Sequence, residues 1–242
     1  MKKYIIVGST GQFGVCLTKY LLTKKKYSII ITSRSNKKLK KFSLKSNKIT
    51  KIQLKNFSKI NINKFLSYNK PDKIFFFASQ SSVKTSFNKK SETFKSNYEI
   101  CKNFIESIKD LNLDCKFINA SSSEMYGNHK GKIKPNSKLK PVSPYGKAKL
   151  MSFNLVKNYR NKYNLKLYNA IIFNTESIIR DKKFLIPKIC LAAIEAYKNK
   201  KKTEFGNLNV TREWNWCEEQ VKYIYLFSKK KPQDFILSNG KK

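Results

Sequence analysis

The sequence predicts an α/β fold, a Rossmann-like doubly wound parallel sheet with a small, incomplete C-terminal substrate lobe. Three observations carry this. Short apolar runs alternate with stretches of helical spacing from the first residue, the pattern of a parallel sheet covered on both faces. Glycines stand three apart in GSTGQFG, between the first apolar run and the first helical stretch. After Phe173 the alternation stops, so residues 1–173 read as a dinucleotide-binding domain and 174–242 as a partial substrate-binding lobe.

The elements follow in order. Strands are expected at 4–7, 28–32, 49–54, 73–78, 115–120 and 167–173, each an apolar run bounded by turn residues. Helices are expected between them at 14–22, 62–68, 92–110 and 144–163, where apolar residues recur on one face. In the last of these Ser143 suits the N-cap and Pro144 the first helical position, so Tyr145 and Lys149 share one face. Beyond residue 173, helices are expected at 184–197 and 218–227, with FGNLNVTREW between them as loop. The lysine runs at 24–26, 37–41 and 198–202 read as exposed loops or helix ends.

Composition narrows the class. The chain has 242 residues, 40% of them hydrophobic, enough for a real core. Its formal charge of +37 resembles that of a polyanion binder, but 48 of the 52 cations are lysines spread over nearly every segment. Base-reading surfaces favour arginine forks, and arginine stands only at 34, 160, 180 and 212. The charge therefore reads as solvated surface, with weak salt-sensitive polyanion binding and no specific nucleic-acid function. Cys16, Cys101, Cys115, Cys190 and Cys217 form no close pair along the chain, and their odd number fits no disulfide framework. His129 is the only histidine, so no His-based metal site is expected. The opening apolar run is too short for a signal or membrane segment; a soluble, cytoplasmic protein is the expectation.

The glycine loop is the first functional feature. Gly8, Gly11 and Gly14 let the backbone turn tightly and approach a pyrophosphate, whose charge meets N–H groups at a helix start. Thr10, Gln12 and Phe13 within the loop, and Ala78 and Gln80 after the fourth strand, complete the expected cofactor contacts. A fold of this kind that prefers NAD places an acid after the second strand to hold the ribose diol. Here the residues are Thr32, Ser33, Arg34 and Ser35. Arg34 can fork onto a 2′-phosphate, which favours NADP.

The fifth strand ends in NASSSEMYG, and the end of a strand in such a sheet points into the ligand crevice. Ser122, Ser123 and Glu124 therefore lie where a substrate would. Tyr145 is the expected acid/base, its pKa pulled down from about 10 by the Lys149 ammonium one turn away together with an oxidised nicotinamide.

Taken together, GSTGQFG, ASQSSVKTSF, INASSSEMYG, PVSPYGKAKL, FNTES, LIPKI, FGNLNVTREW and DFILSNG resemble the GDP-mannose 4,6-dehydratase family of extended short-chain dehydrogenases/reductases, over essentially the whole chain. The glycines and the Tyr/Lys pair identify the superfamily, and Ser123-Glu124 resembles the GDP-mannose branch. The resemblance implies a lyase of nucleotide-sugar metabolism, on the route to GDP-fucose, that converts GDP-mannose to its 4-keto-6-deoxy form by internal hydride transfer through NADP. It implies Ser122, Glu124, Tyr145 and Lys149 as the catalytic group. Ser82, Ser123, Asn174, Lys188 and Arg212 are implied as substrate contacts, and Asn97 as a residue near the site.

Departures from the family pattern modify these expectations. Phe13 replaces a usual Asp, Ser82 and Thr175 replace His, and Ile178-Ile179 replace a Pro-Arg pair that contributes to oligomer contacts. A homo-oligomer is implied, but not specifically a tetramer. Glu213, Asn215 and Trp216 alter the stretch around Arg212, and Lys55 or Asn56 stands where an Asp commonly meets the adenine. These changes permit a related epimerase or dehydratase of different specificity. The family continues beyond SNGKK, so a shortened nucleotide pocket, or an inactive NADP-binding remnant, is the other expectation.

Overall fold

The computed structural model describes every residue except 25, 135, 207, 208, 210, 241 and 242. Part of the 24–26 lysine run, part of FGNLNVTREW and the last two residues of the expected lobe thus lie outside the described residues. The strands are β1 (Lys2–Val7), β2 (Tyr27–Ser33), β3 (Ile49–Gln53), β4 (Lys73–Phe76), β5 (Lys116–Ser122), β6 (Leu167–Ile172), β7 (Thr175–Glu176), β8 (Asn215–Trp216) and β9 (Asp234–Leu237). Seven form one sheet in the order β3-β2-β1-β4-β5-β6-β9, every pair parallel. The strand order reverses between β1 and β4, which opens a crevice beyond their C-terminal ends. Strand pleating sends Tyr4 and Ile6 into one core layer and Ile5 and Val7 into the other.

The helices are α1 (Gln12–Leu22), α2 (Asn36–Lys40), α3 (Lys59–Asn69), α4 (Val83–Asn88), α5 (Lys90–Phe94), α6 (Ile100–Asp110), α7 (Pro144–Tyr163), α8 (Leu185–Asn199) and α9 (Cys217–Phe227). α1 and α9 cover one face of the sheet through Leu17, Leu21, Val221 and Ile224. α3, α6 and α7 cover the other through Ile62, Leu66, Phe104, Ile108 and Val156. The lysine run at 37–41 folds largely into α2 because Ser35 caps it and Leu39 is buried. Cys16 and Cys217, remote in sequence, meet side by side in the α1/α9 layer as free thiols.

The single helix expected at 92–110 is interrupted. Residues Lys95–Glu99 form a wide π-type turn between α5 and α6. Asn97, fully buried, explains the interruption: its Nδ2 donates to the Thr93 carbonyl at 2.9 Å and to the Gln80 carbonyl at 3.1 Å. The side chain thus takes a backbone acceptor of the helix and ties the turn to the loop after β4.

The C-terminal segment divides differently from the expected lobe. β9 extends the main sheet beside β6, and α9 packs on α1, so residues 217–237 belong to the main layers. Only β7, α8 and β8 stand apart, with β7 and β8 paired to each other. β9 is pinned by a buried polar network that no apolar pattern announces. Asp234 Oδ1 accepts from Arg160 Nη1 at 2.8 Å and from Asn169 Nδ2 at 2.9 Å, while Asn169 Oδ1 accepts from Asn119 at 3.0 Å and from Ser121 at 3.1 Å. Asn169→Ala leaves several of these buried groups short of a partner, and a loss of about 2–4 kcal/mol is expected, read as a lower urea midpoint. α8 is the opposite case: none of its residues is buried, and Leu185, Ile189, Leu191, Ile194 and Tyr197 are exposed.

Candidate active site

The site grows from three chain turns at the sheet's C-terminal edge. The first is the glycine loop. Gly8 has φ +83°, and a Cβ there would lie 2.6 Å from the Ala78 amide nitrogen, so the ends of β1 and β4 close on each other only around glycine. A Cβ on Gly14 would lie 2.4 Å from Ser9 Cα, whereas one on Gly11 would meet only the Gly8 carbonyl at 3.5 Å. Gly11 is the N-cap of α1, which has neither a side-chain cap nor an acid in its first turn. This cradle fits a diphosphate: its backbone lies close and its helix end favours negative charge.

The second turn follows β5. Ser122 Oγ accepts the Glu124 amide at 3.2 Å and starts one 3₁₀ turn, Ser123–Tyr126, anchored by buried Met125 and Tyr126. The third is the start of α7, where Ser143 Oγ accepts the Gly146 amide at 3.0 Å and Pro144 takes the first turn. Gly146 joins the two turns. A Cβ there would come within 2.6 Å of the Glu124 carbonyl, so only glycine lets α7 approach the Glu124 turn this closely.

Tyr145 and Lys149 are both buried on α7. Their electrostatics differ from the expectation. Burial pushes the Tyr145 phenol up to about 12; the Glu124 charge adds to the rise, and a hydrogen bond from Ser122 and the Arg180 charge oppose it. Lys149 does not pull the phenol down. Its Nζ donates to the Ala120 carbonyl at 2.7 Å and lies 5.8 Å from the Tyr145 ring centroid, and burial lowers its own pKa to about 8.

Two adjoining cavities collect the residues. A cleft of about 970 Å³ is lined by Gly8, Thr10, Gly11, Gln12, Arg34, Ala78, Gln80 and Ser82. A chamber of about 240 Å³ is lined by Phe13, Gly14, Ser122, Ser123, Glu124, Tyr145, Lys149 and Asn174. Gly8, Gly11, Gln12 and Arg180 line both, so the cavities share a wall. Gln12 also braces this wall, donating to the Thr175 carbonyl and accepting from Ser177, each at 3.0 Å. Asn97 lines neither cavity but anchors Gln80.

Lys188 and Arg212 are not brought to the site. Lys188 Nζ donates to the Glu204 carbonyl at 3.0 Å and stands over the Phe205 ring, and exposed Arg212 bonds the Thr211 carbonyl. Conversely, sequence reasoning gave no role to Arg180, Gly146 or Lys38, which lines the cleft beside Arg34 and Ser35. The scarcity of arginine was the available signal for Arg180. Among the described residues no group of three His, Cys, Asp or Glu side chains could hold a metal ion, and no helix is long and apolar enough to cross a membrane.

A parallel sheet with a glycine loop at its switch point, a Ser-Glu turn and a Tyr/Lys helix defines an extended short-chain dehydrogenase/reductase. The fold is shared with UDP-N-acetylglucosamine 4-epimerase from Methanobrevibacter ruminantium M1, with TM-score 0.87 and 20% identity over 99% of this chain and 77% of that one. It is shared also with dTDP-glucose 4,6-dehydratase from Streptomyces venezuelae, with TM-score 0.84 and 17% identity over 99% and 76%. The profile of the GDP-mannose 4,6 dehydratase family matches residues 5–242. GDP-mannose 4,6 dehydratase 2 of Caenorhabditis elegans is 32% identical over 99% of this chain and 67% of its own length. The human GDP-mannose 4,6 dehydratase is 30% identical over 98% and 67%. The chain belongs to the GDP-mannose 4,6 dehydratase family.

Proposed function

We propose that this protein dehydrates GDP-mannose, or a closely related sugar nucleotide, to the 4-keto-6-deoxy sugar with NADP as resident cofactor. The observation that carries the reading is the meeting of Ser122, Glu124, Tyr145 and Lys149 in one chamber beside the glycine-loop cleft. Family membership and the sugar nucleotides named for its relatives support the same substrate class. When bound, an oxidised nicotinamide supplies a hydride acceptor, a later hydride donor and a positive charge beside the phenol.

The protein's own residues then move the protons. Tyr145 Oη takes the proton of the sugar 4-hydroxyl, with Ser122 bonding the same oxygen. A ketone at C4 acidifies the proton at C5, which the Glu124 carboxylate removes as water leaves C6. Lys149 orients the cofactor ribose from below, held by its bond to Ala120. Incubation with GDP-mannose and NADP⁺ is expected to give a product lighter by one water, seen by mass spectrometry; UDP-sugars run in parallel should stay unchanged, and no product from any GDP-sugar would overturn the reading.

The preference for NADP rests on Arg34, Ser35 and Lys38 along one stretch of the cleft wall, with no acid among them. Arg34→Ala is expected to weaken NADPH binding by about tenfold or more, the loss of a charge-assisted pair, while NADH binding changes little. Fluorescence titration with both nucleotides measures it, and equal losses would contradict the assignment.

A further inference from the structure

The phenol proposed as acid/base has a shortage of positive charge in this structure. Its burial is deep, Glu124 lies in the same chamber, and the Lys149 ammonium is committed to the Ala120 carbonyl. One other cation lines that chamber. Arg180, in the loop after β7, lies at the wall shared by the cleft and the chamber, with 19% of its side chain exposed. Its guanidinium carbon stands 3.5 Å above the Phe184 ring centroid, and its Nε lies 3.7 Å from Glu176 Oε1. Stacking and ion pairing hold the planar fork in one place. The pair is under-satisfied: Arg180 Nε and Glu176 Oε2 are both buried without a hydrogen-bond partner. A guanidinium held this way keeps charge to spare for a third group.

The geometry points to Arg180 as a positioning residue for Tyr145: stacked on Phe184 and paired with Glu176, it supplies the positive charge that stabilises the phenolate form of the catalytic tyrosine. Lys149, by contrast, serves the backbone below. The inference rests on the proposed role of Tyr145, and it assigns to the loop after β7 a part in proton transfer at the chamber. The groups facing the phenol from the packed elements are Ser122 and Glu124 from the β5 end, Lys149 from α7 and Arg180 from this loop. Among these Arg180 is the charge that draws the phenol toward ionisation, and Glu124 the one that opposes it.

The test reads the phenol without turnover. Difluorotyrosine, whose phenol ionises at lower pH than tyrosine, is placed at position 145 by codon suppression and titrated by fluorine NMR in the protein without ligand. Arg180→Met is expected to raise the midpoint by about one unit, the size of an opposite charge removed from close range. Arg180→Lys should keep most of the original value. A midpoint unmoved by Arg180→Met overturns the inference, as does an Arg180→Lys shift as large as the Met shift, which would assign the effect to packing on Phe184. Glu176→Gln supplies a measurement of opposite sign with the guanidinium in place. Freed of its partner's charge, Arg180 should lower the midpoint, and an unchanged or raised value overturns the proposal even where Arg180→Met fails to fold. Failure of dehydration with these shifts intact would sink the functional reading alone; normal dehydration with no shift would sink this one alone.

Discussion

Glu124→Gln is expected to lower dehydration of GDP-mannose by about 10²–10⁴-fold, the usual contribution of a positioned base. Gln keeps the size and the hydrogen-bonding end of the side chain, so the 3₁₀ turn remains. That turn is set by Ser122 Oγ, the Met125 and Tyr126 anchors and the Gly146 contact, none of which involves the carboxylate. The variant should therefore bind nucleotide normally and unfold at the parent's urea concentration. Solvent deuterium gives the sharper reading. The parent should exchange the sugar C5 proton with solvent during turnover, and the variant should not. A variant that still loses water at the parent's rate would remove Glu124 from the role of base.

Tyr145→Phe is expected to act one step earlier and at least as strongly, stopping both proton loss at the 4-hydroxyl and the exchange at C5 that depends on the ketone. Loss of a general acid/base costs about 10²–10⁴-fold. Its effect on stability should be small. The ring remains buried, and the missing hydroxyl forfeits one hydrogen bond with Ser122, about 1 kcal/mol. The pairing of a large kinetic loss with a small shift in urea midpoint distinguishes a chemical role from a structural one. A loss confined to KM would identify Tyr145 as a contact rather than an acid/base.

Much of this architecture is legible in the chain because its signals are local. The six buried strands announce themselves as apolar runs, the glycine loop as a spacing, and the start of α7 as a Ser-Pro pair that caps it as read. What escapes is decided by contacts between distant residues. The break at 95–99 depends on Asn97 reaching the Gln80 carbonyl, and β9 depends on Asp234 meeting Asn169 and Arg160. Neither bond leaves a periodic trace. At the site, residue types reveal the catalytic group but not its electrostatics. Lysine four positions after tyrosine suggests a cation acting on a phenol, yet the ammonium turns to the Ala120 carbonyl and burial governs the phenol instead. Lys188 and Arg212 follow the family pattern in sequence, while their side chains bond locally on the β7–α8–β8 segment.

The uncovered apolar residues of α8 sit on a chain whose formal charge is +37. Such a molecule behaves as a charged colloid with an adhesive stripe. In dilute buffer, like-charge repulsion keeps copies beyond reach of one another; at physiological ionic strength the field is screened within about 8 Å, while attraction between oily surfaces persists. Added sodium chloride should therefore raise the light scattered by this protein, the reverse of what salt does to particles held together by opposite charges.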